Sequence, residues 1–147
     1  MIRHVHSRLG LAVELPDGSE VREDEGGAVL LALEPPRDAG FRANLTVTAD
    51  ALEPGAELEA FTGAALAYQE RALHDFVLLD RGYALVGGRP ATRTLAHHDL
   101  DGLALCIEQW RVVAGGTGWT VTATAWALDY DEVADALAGS AESLELP

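Results

Sequence analysis

The 147-residue chain contains no lysine, one cysteine and one methionine, and its acidic residues outnumber basic ones 24 to 10. Each scarcity excludes something. With Cys106 alone, no intrachain disulfide can form. A formal net charge of −14 leaves no basic patch for nucleic acid or anionic lipid. No segment is long and apolar enough to cross a membrane, so insertion into one is not expected. Residues Met1 to Arg8 carry charges where a signal peptide needs an apolar core, and the chain reads as cytoplasmic. All ten basic residues are Arg and isoleucine occurs twice, beside abundant Ala, Gly, Leu and Val, which is the composition of GC-rich bacterial coding. The length suits one domain, residues 1–147, with a core that needs neither disulfide nor metal.

Recognisable catalytic chemistry is also missing. The four serines, Ser7, Ser19, Ser140 and Ser143, stand in no nucleophile elbow. Gly115-Gly116-Thr117-Gly118 has neither the lysine nor the following helix of a phosphate loop, so no cofactor is expected. His97 and His98 are adjacent in a strand-like segment and point to opposite faces, which prevents them from sharing a metal ion. Cys106 lies mid-strand between Leu105 and Ile107, the setting of a buried, inert thiol.

What is present is a pattern of elements. Leu9 to Leu15, Ala28 to Glu34 and Asn44 to Ala49 read as strands, with the acidic run Glu20 to Glu25 between the first two. Glu57 to Leu73 is a helix whose apolar residues fall on one broad face, with Gln69 near its middle. Phe76 to Asp80 and Tyr83 to Val86 are short strands interrupted around Arg81-Gly82. Three longer strands follow, Pro90 to His98, Leu103 to Val113 and Thr117 to Ala127. Asp129 with Glu132 forms a capping-box pattern ahead of a final helix ending near Leu144.

The turns between the three long strands imply a register, and a register assigns side chains to faces. A four-residue Asp99 to Gly102 loop sets Arg93 opposite Glu108, and a Gly115-Gly116 turn sets Trp110 opposite Val121. One face then carries Leu95, Cys106, Trp110, Val112, Trp119, Val121, Ala123 and Ala125, and should lie under a helix. Arg93 and Glu108 are its charged exceptions, expected as a structural pair rather than as catalytic groups. The other face carries Thr92, Thr94, Gln109, Arg111, Thr120, Thr122 and Thr124, and grades into Leu105, Ile107 and Trp126. A half-covered sheet surface has this gradient, its open part either solvated or available to a partner.

The Leu11 to Gly18 segment with its Pro-Asp-Gly turn, Phe41 to Thr48, the long helix, Gly87-Gly88-Arg89-Pro90-Ala91, Glu108-Gln109-Trp110 and Thr120 to Ala125 together resemble the PsbP-like superfamily. That superfamily includes photosystem II accessory proteins, DcrB and LpqN-type bacterial lipoproteins, and chaperones of type VI secretion effectors. The resemblance implies an α+β fold, an antiparallel sheet flanked by helices. It also implies a non-enzymatic binding, assembly or chaperone role. Ser19 stands where many relatives have Trp, and no lipidation cysteine is present, which favours a cytosolic adaptor or secretion-linked chaperone. The expected partner is another protein, with a homodimer possible in principle. It would bind through the threonine-rich face, the apolar end of that face or an exposed strand edge. Two alternatives are a carrier holding a small apolar ligand between that face and a helix, and an enzyme without a recognisable motif.

Overall fold

A computed structural model describes residues 1–147. Nine strands and two helices follow in the order β1 (Ile2–Val5), β2 (Ala12–Leu15), β3 (Glu20–Glu25), β4 (Ala28–Leu33), β5 (Asn44–Ala51), α1 (Leu58–Ala72), β6 (His74–Val86), β7 (Arg89–Leu100), β8 (Leu103–Ala114), β9 (Thr117–Trp126) and α2 (Tyr130–Glu142). Strands β3 to β9 form one antiparallel sheet in the order β3-β4-β5-β9-β8-β7-β6, and β1 pairs only with β2. This is an α+β architecture in which the seven-stranded sheet is covered on both sides.

One side is the main core. Trp110, Val112, Trp119, Val121, Ala123 and Ala125 meet Leu30, Leu45 and Val47 of the neighbouring strands on the sheet. Leu11, Val13 and Leu15 of the β1–β2 hairpin and Leu137, Ala141 and Leu144 of α2 and its end close over them. A bridge between Ala12 and Glu145 and a bond from the Glu14 N–H to Ser143 Oγ at 2.8 Å tie the hairpin to the C-terminus. The apolar face does lie under a helix, as its side-chain pattern implies.

The opposite face is covered further than the half-covered surface its gradient implies: α1 lies on it. Chain connectivity supplies the reason. β5 sits inside the sheet and β6 at its edge, so the linking helix has to cross β9, β8 and β7. A 2.7 Å bond between Thr62 Oγ1 and Thr92 Oγ1 fixes α1 to the threonines beneath it. The ring of Phe61 lies so close over Gly118 that a Cβ there would stand 2.6 Å from it.

The meander turns correct one register. Asp101-Gly102 alone makes the β7–β8 turn, so Leu100 pairs with Leu103 and Arg93 pairs with Trp110 rather than Glu108. Asp101 takes φ +50° and Gly102 +82°, the left-handed pair that a two-residue hairpin turn requires. Because the slip is two residues, every side chain keeps its expected face. The β8–β9 register is as expected, with Trp110 opposite Val121 and Ala114 opposite Thr117.

Three further differences have local causes. The acidic run Glu20–Glu25, to which the sequence pattern assigns no element, is a strand, made one by pairing with apolar β4. Residues 74–86 form one strand instead of two, and its irregularities fall between His74 and Val77 and between Leu78 and Asp80, not at Arg81-Gly82. The capping box is absent, since Asp129 makes no side-chain cap and its carboxylate binds Arg37 at 2.8 Å instead.

Candidate functional site

The threonine-rich face and the stripe of α1 above it form a polar network inside the fold. Gln69 donates through Nε2 to Gln109 Oε1 at 2.8 Å, and Gln109 donates to Thr122 Oγ1 at 3.0 Å. Arg111 donates to the same Gln109 oxygen at 2.8 Å and to Thr94 Oγ1 at 3.3 Å. Gln69 therefore bonds a facing side chain of the sheet. The expected binding face is largely closed: Thr92, Thr94, Leu105, Ile107, Gln109, Arg111 and Thr120 are buried, while Thr122, Thr124 and Trp126 are partly exposed.

Arg111 stands out within that network. Its side chain is 1% exposed, it makes no ion pair with any carboxylate, and its Nε has no hydrogen-bond partner in the chain. Burial, assisted by the nearby Arg81 charge, lowers the guanidinium pKa to about 10. Gln69 Oε1 is likewise buried without a partner. Beside these groups runs a cleft of about 300 Å³, lined by Phe61, Ala65, Tyr68 and Gln69 of α1 and Leu73 just past its end, and from the sheet by Thr48, Asp50, Gln109, Arg111, Thr120 and Thr122.

The free edge of β6 is the second feature. β6 pairs with β7 on one side only and ends the sheet, and Val77, Leu79, Tyr83 and Leu85 are 52%, 56%, 76% and 61% exposed. Leu78 adds a further exposed apolar side chain. At the α1 side of this edge, Glu59 binds Tyr83 Oη at 2.6 Å and Arg81 at 2.7 Å. The β3 edge at the other end of the sheet is built from Glu20, Val21, Arg22, Glu23, Asp24 and Glu25, charges that discourage strand addition.

Arg93 and Glu108 do meet, although their backbones are not directly paired. The Arg93 guanidinium bonds the Glu108 carboxylate and also Asp80 at 3.0 Å, while Tyr130 Oη donates to Glu108 at 3.4 Å. Glu108 is buried at 3% exposure. Only the Arg93 cation keeps it from being an isolated charge.

His97 and His98 point to opposite faces, His98 buried beside the α1 layer and His97 partly exposed on the other side. No group of three or more His, Cys, Asp or Glu side chains is arranged to hold a metal ion. Burial raises the Cys106 thiol pKa, so the partly buried side chain has little thiolate character. An N-terminal cluster lies outside what sequence reasoning identified. Ser7 donates to Glu23 through both its N–H and its hydroxyl, His4 bonds the same carboxylate at 2.9 Å, and His6 Nδ1 accepts the N–H groups of Arg8 and Leu9 at 3.1 Å each. The available signal was the His-x-His spacing, which sets His4 in β1 and His6 just past its end, both within reach of Glu23.

No protein-family model matches the sequence, and no curated protein does. Solved structures do. A Pseudomonas aeruginosa protein of unknown function, described as a candidate regulator, aligns at 17% identity and a TM-score of 0.72 over 100% of this chain and 97% of its own. The cyanobacterial PsbP of Synechocystis aligns at 13% identity and a TM-score of 0.74, over 99% and 92%. LpqN, involved in cell envelope biogenesis of Mycobacterium tuberculosis, aligns at 15% identity and a TM-score of 0.71, over 99% and 90%.

Proposed function

We propose that this domain, whose PsbP-like fold those neighbours establish, is a non-catalytic protein-binding module that adds an extended partner segment to the free edge of β6. The observation that carries the reading is the exposed apolar side chains of that edge, held beside unpaired backbone groups on a strand of 13 residues. Such an edge offers main-chain hydrogen bonds for affinity and alternate side-chain sites for specificity. The fit to an adaptor or a secretion-linked chaperone is good, since both hold segments of other proteins. The descriptions of two neighbours, a candidate regulator and a participant in envelope biogenesis, agree with a role outside catalysis. With the threonine-rich face largely covered by α1 and Leu105 and Ile107 buried at its apolar end, the edge is the most exposed of the three expected docking places.

The partner segment should be extended, apolar on alternate residues and basic overall, because the chain it meets carries −14. A second copy fits less well, since pairing would bring two such charges together. We place this binding in the cytoplasm.

The test compares wild type with Leu79→Lys/Leu85→Lys as bait in native-host extract. The double variant should melt at the wild-type temperature and lose the partner, and amides of β6 should gain protection from exchange in the wild-type complex. Recovery of the same partner by both baits, or a complex that leaves β6 amides unprotected, overturns the edge as the site.

A further inference from the structure

Arg111 is a cation taken out of water without a carboxylate to balance it. A guanidinium carries five N–H groups, and within the chain only the bonds to Thr94 and Gln109 engage them, both to neutral oxygens. Removing a charge from water on those terms is costly, and proteins ordinarily pair or coordinate such a group. The cost is unexplained by the fold. Val113, on the same strand face, and Gly118, on the neighbouring strand, show that the same layer accepts apolar or small residues next to it.

The surroundings of Arg111 are those of a site. The cleft reaching it has a volume of about 300 Å³, at the lower end of ligand pockets, with an apolar wall from α1 and a floor from the sheet of hydroxyls, the Gln109 amide and, on β5, the Asp50 carboxylate, which makes no ion pair with Arg111. Its wall residues recur at helical spacing along α1, so the apolar side is continuous. A monoanion matches the single uncompensated charge, and a planar carboxylate matches the fork of a guanidinium. A doubly charged phosphate would stay half unneutralised in a chain of −14.

We propose that the cleft between α1 and the threonine face binds a small amphipathic carboxylate, whose anionic group pairs with Arg111 and whose apolar body lies against Phe61, Ala65 and Leu73. Thr120 and Thr122 border the head group, and the exposed ring of Tyr68 stands at the mouth. The site is separate from the free edge of β6, so either proposal can fail alone.

Phenylacetate is a suitable probe, with phenylacetamide as its neutral isostere, titrated against the full chain by calorimetry and by NMR of the Arg111 Nε–H. Phenylacetate should bind at least about tenfold more tightly than the amide, and should shift the Nε–H resonance as it saturates. Arg111→Met should remain folded and reduce that preference to about one. Three results overturn the proposal: no binding of the acid at millimolar concentration, equal binding of acid and amide, or an acid preference that survives Arg111→Met. Should the variant not fold, the wild-type resonance decides, because acid binding that leaves the Nε–H unmoved excludes Arg111 as the anchor.

Discussion

Arg93 and Glu108 join across β7 and β8 on a diagonal: the residue directly opposite Arg93 is Trp110, and the one opposite Glu108 is Leu95. Diagonal neighbours on one face remain within reach of long side chains. Glu108 is the buried partner and Arg93 the half-buried one, so the two deletions are unequal. Arg93→Ala leaves a carboxylate among Trp110, Leu95 and Ala123 with only Tyr130 to bond it, and should cost about 3 kcal/mol in urea unfolding. Arg93→Met combined with Glu108→Leu should recover most of that loss, since a well-packed apolar pair is commonly as stable as a buried ion pair. A single variant as stable as wild type would remove the pair from the account of the fold.

Gly118 tests how α1 is seated. Its backbone is extended, so no conformational demand selects glycine there, and the Phe61 ring fills the space a side chain would need. Gly118→Ala should push Phe61 away from the sheet and cost about 2 kcal/mol, the usual penalty of overpacking. Phe61→Leu in the same chain should restore part of it. Equal chemical denaturation midpoints for wild type and Gly118→Ala would show that α1 is loosely held.

Where these strands could be read from sequence, the turns did the reading. Gly115-Gly116 permits only a tight two-residue hairpin, so β8 and β9 pair as their residues imply. Asp99 and Leu100 misled because an acidic residue before Asp-Gly resembles a longer loop, whereas both belong to β7. The parity of that two-residue slip preserved the faces, and with them the threonine surface and the Arg93–Glu108 pair. What covers the threonine surface was not legible. The apolar arc of α1 fits either side of a sheet, and the side is set by strand order and crossover handedness, which one helix does not encode. β3 was hidden for a related reason, having a single apolar residue, Val21, and gaining its strand character from β4. The lack of a counter-charge at Arg111 is a property of three dimensions, because 24 acidic residues in the sequence offer no hint that none reaches it.

The N-terminal cluster should respond to acid. Hydrogen bonds from the Ser7 hydroxyl first, then from His4 and the Ser7 N–H, lower the Glu23 carboxyl pKa to about 2 from an ordinary 4.5. A carboxylate depressed on folding adds stability that is complete above its unfolded pKa and is lost as pH falls through the folded one. The window therefore runs from about 4.5 down to about 2. Ser7→Ala removes the largest cause, so the Glu23 carboxyl resonance should titrate at higher pH and the acid limb of unfolding should move up with it. An unchanged Glu23 midpoint would assign the depression to His4 and the Ser7 N–H instead.

For Arg111 the sign runs the other way. A base whose folded pKa is lowered opposes folding while both states carry the proton, and the penalty relaxes as pH rises through the folded value, here about 10. Arg111→Met keeps much of the side-chain volume, removes the buried charge and frees Gln109 to keep its bond from Gln69. In buffer free of organic acids the variant should therefore be more stable than wild type at neutral pH, by about 1–3 kcal/mol in urea unfolding. The advantage should shrink above pH of about 10, as the native wild type releases its proton. Added phenylacetate should raise the wild-type midpoint toward that of the variant and leave the variant unmoved, because a ligand stabilises only the form that binds it. A variant less stable than wild type without any acid would mean that the bonds to Thr94 and Gln109 already compensate the guanidinium, and that Arg111 is an internal strut.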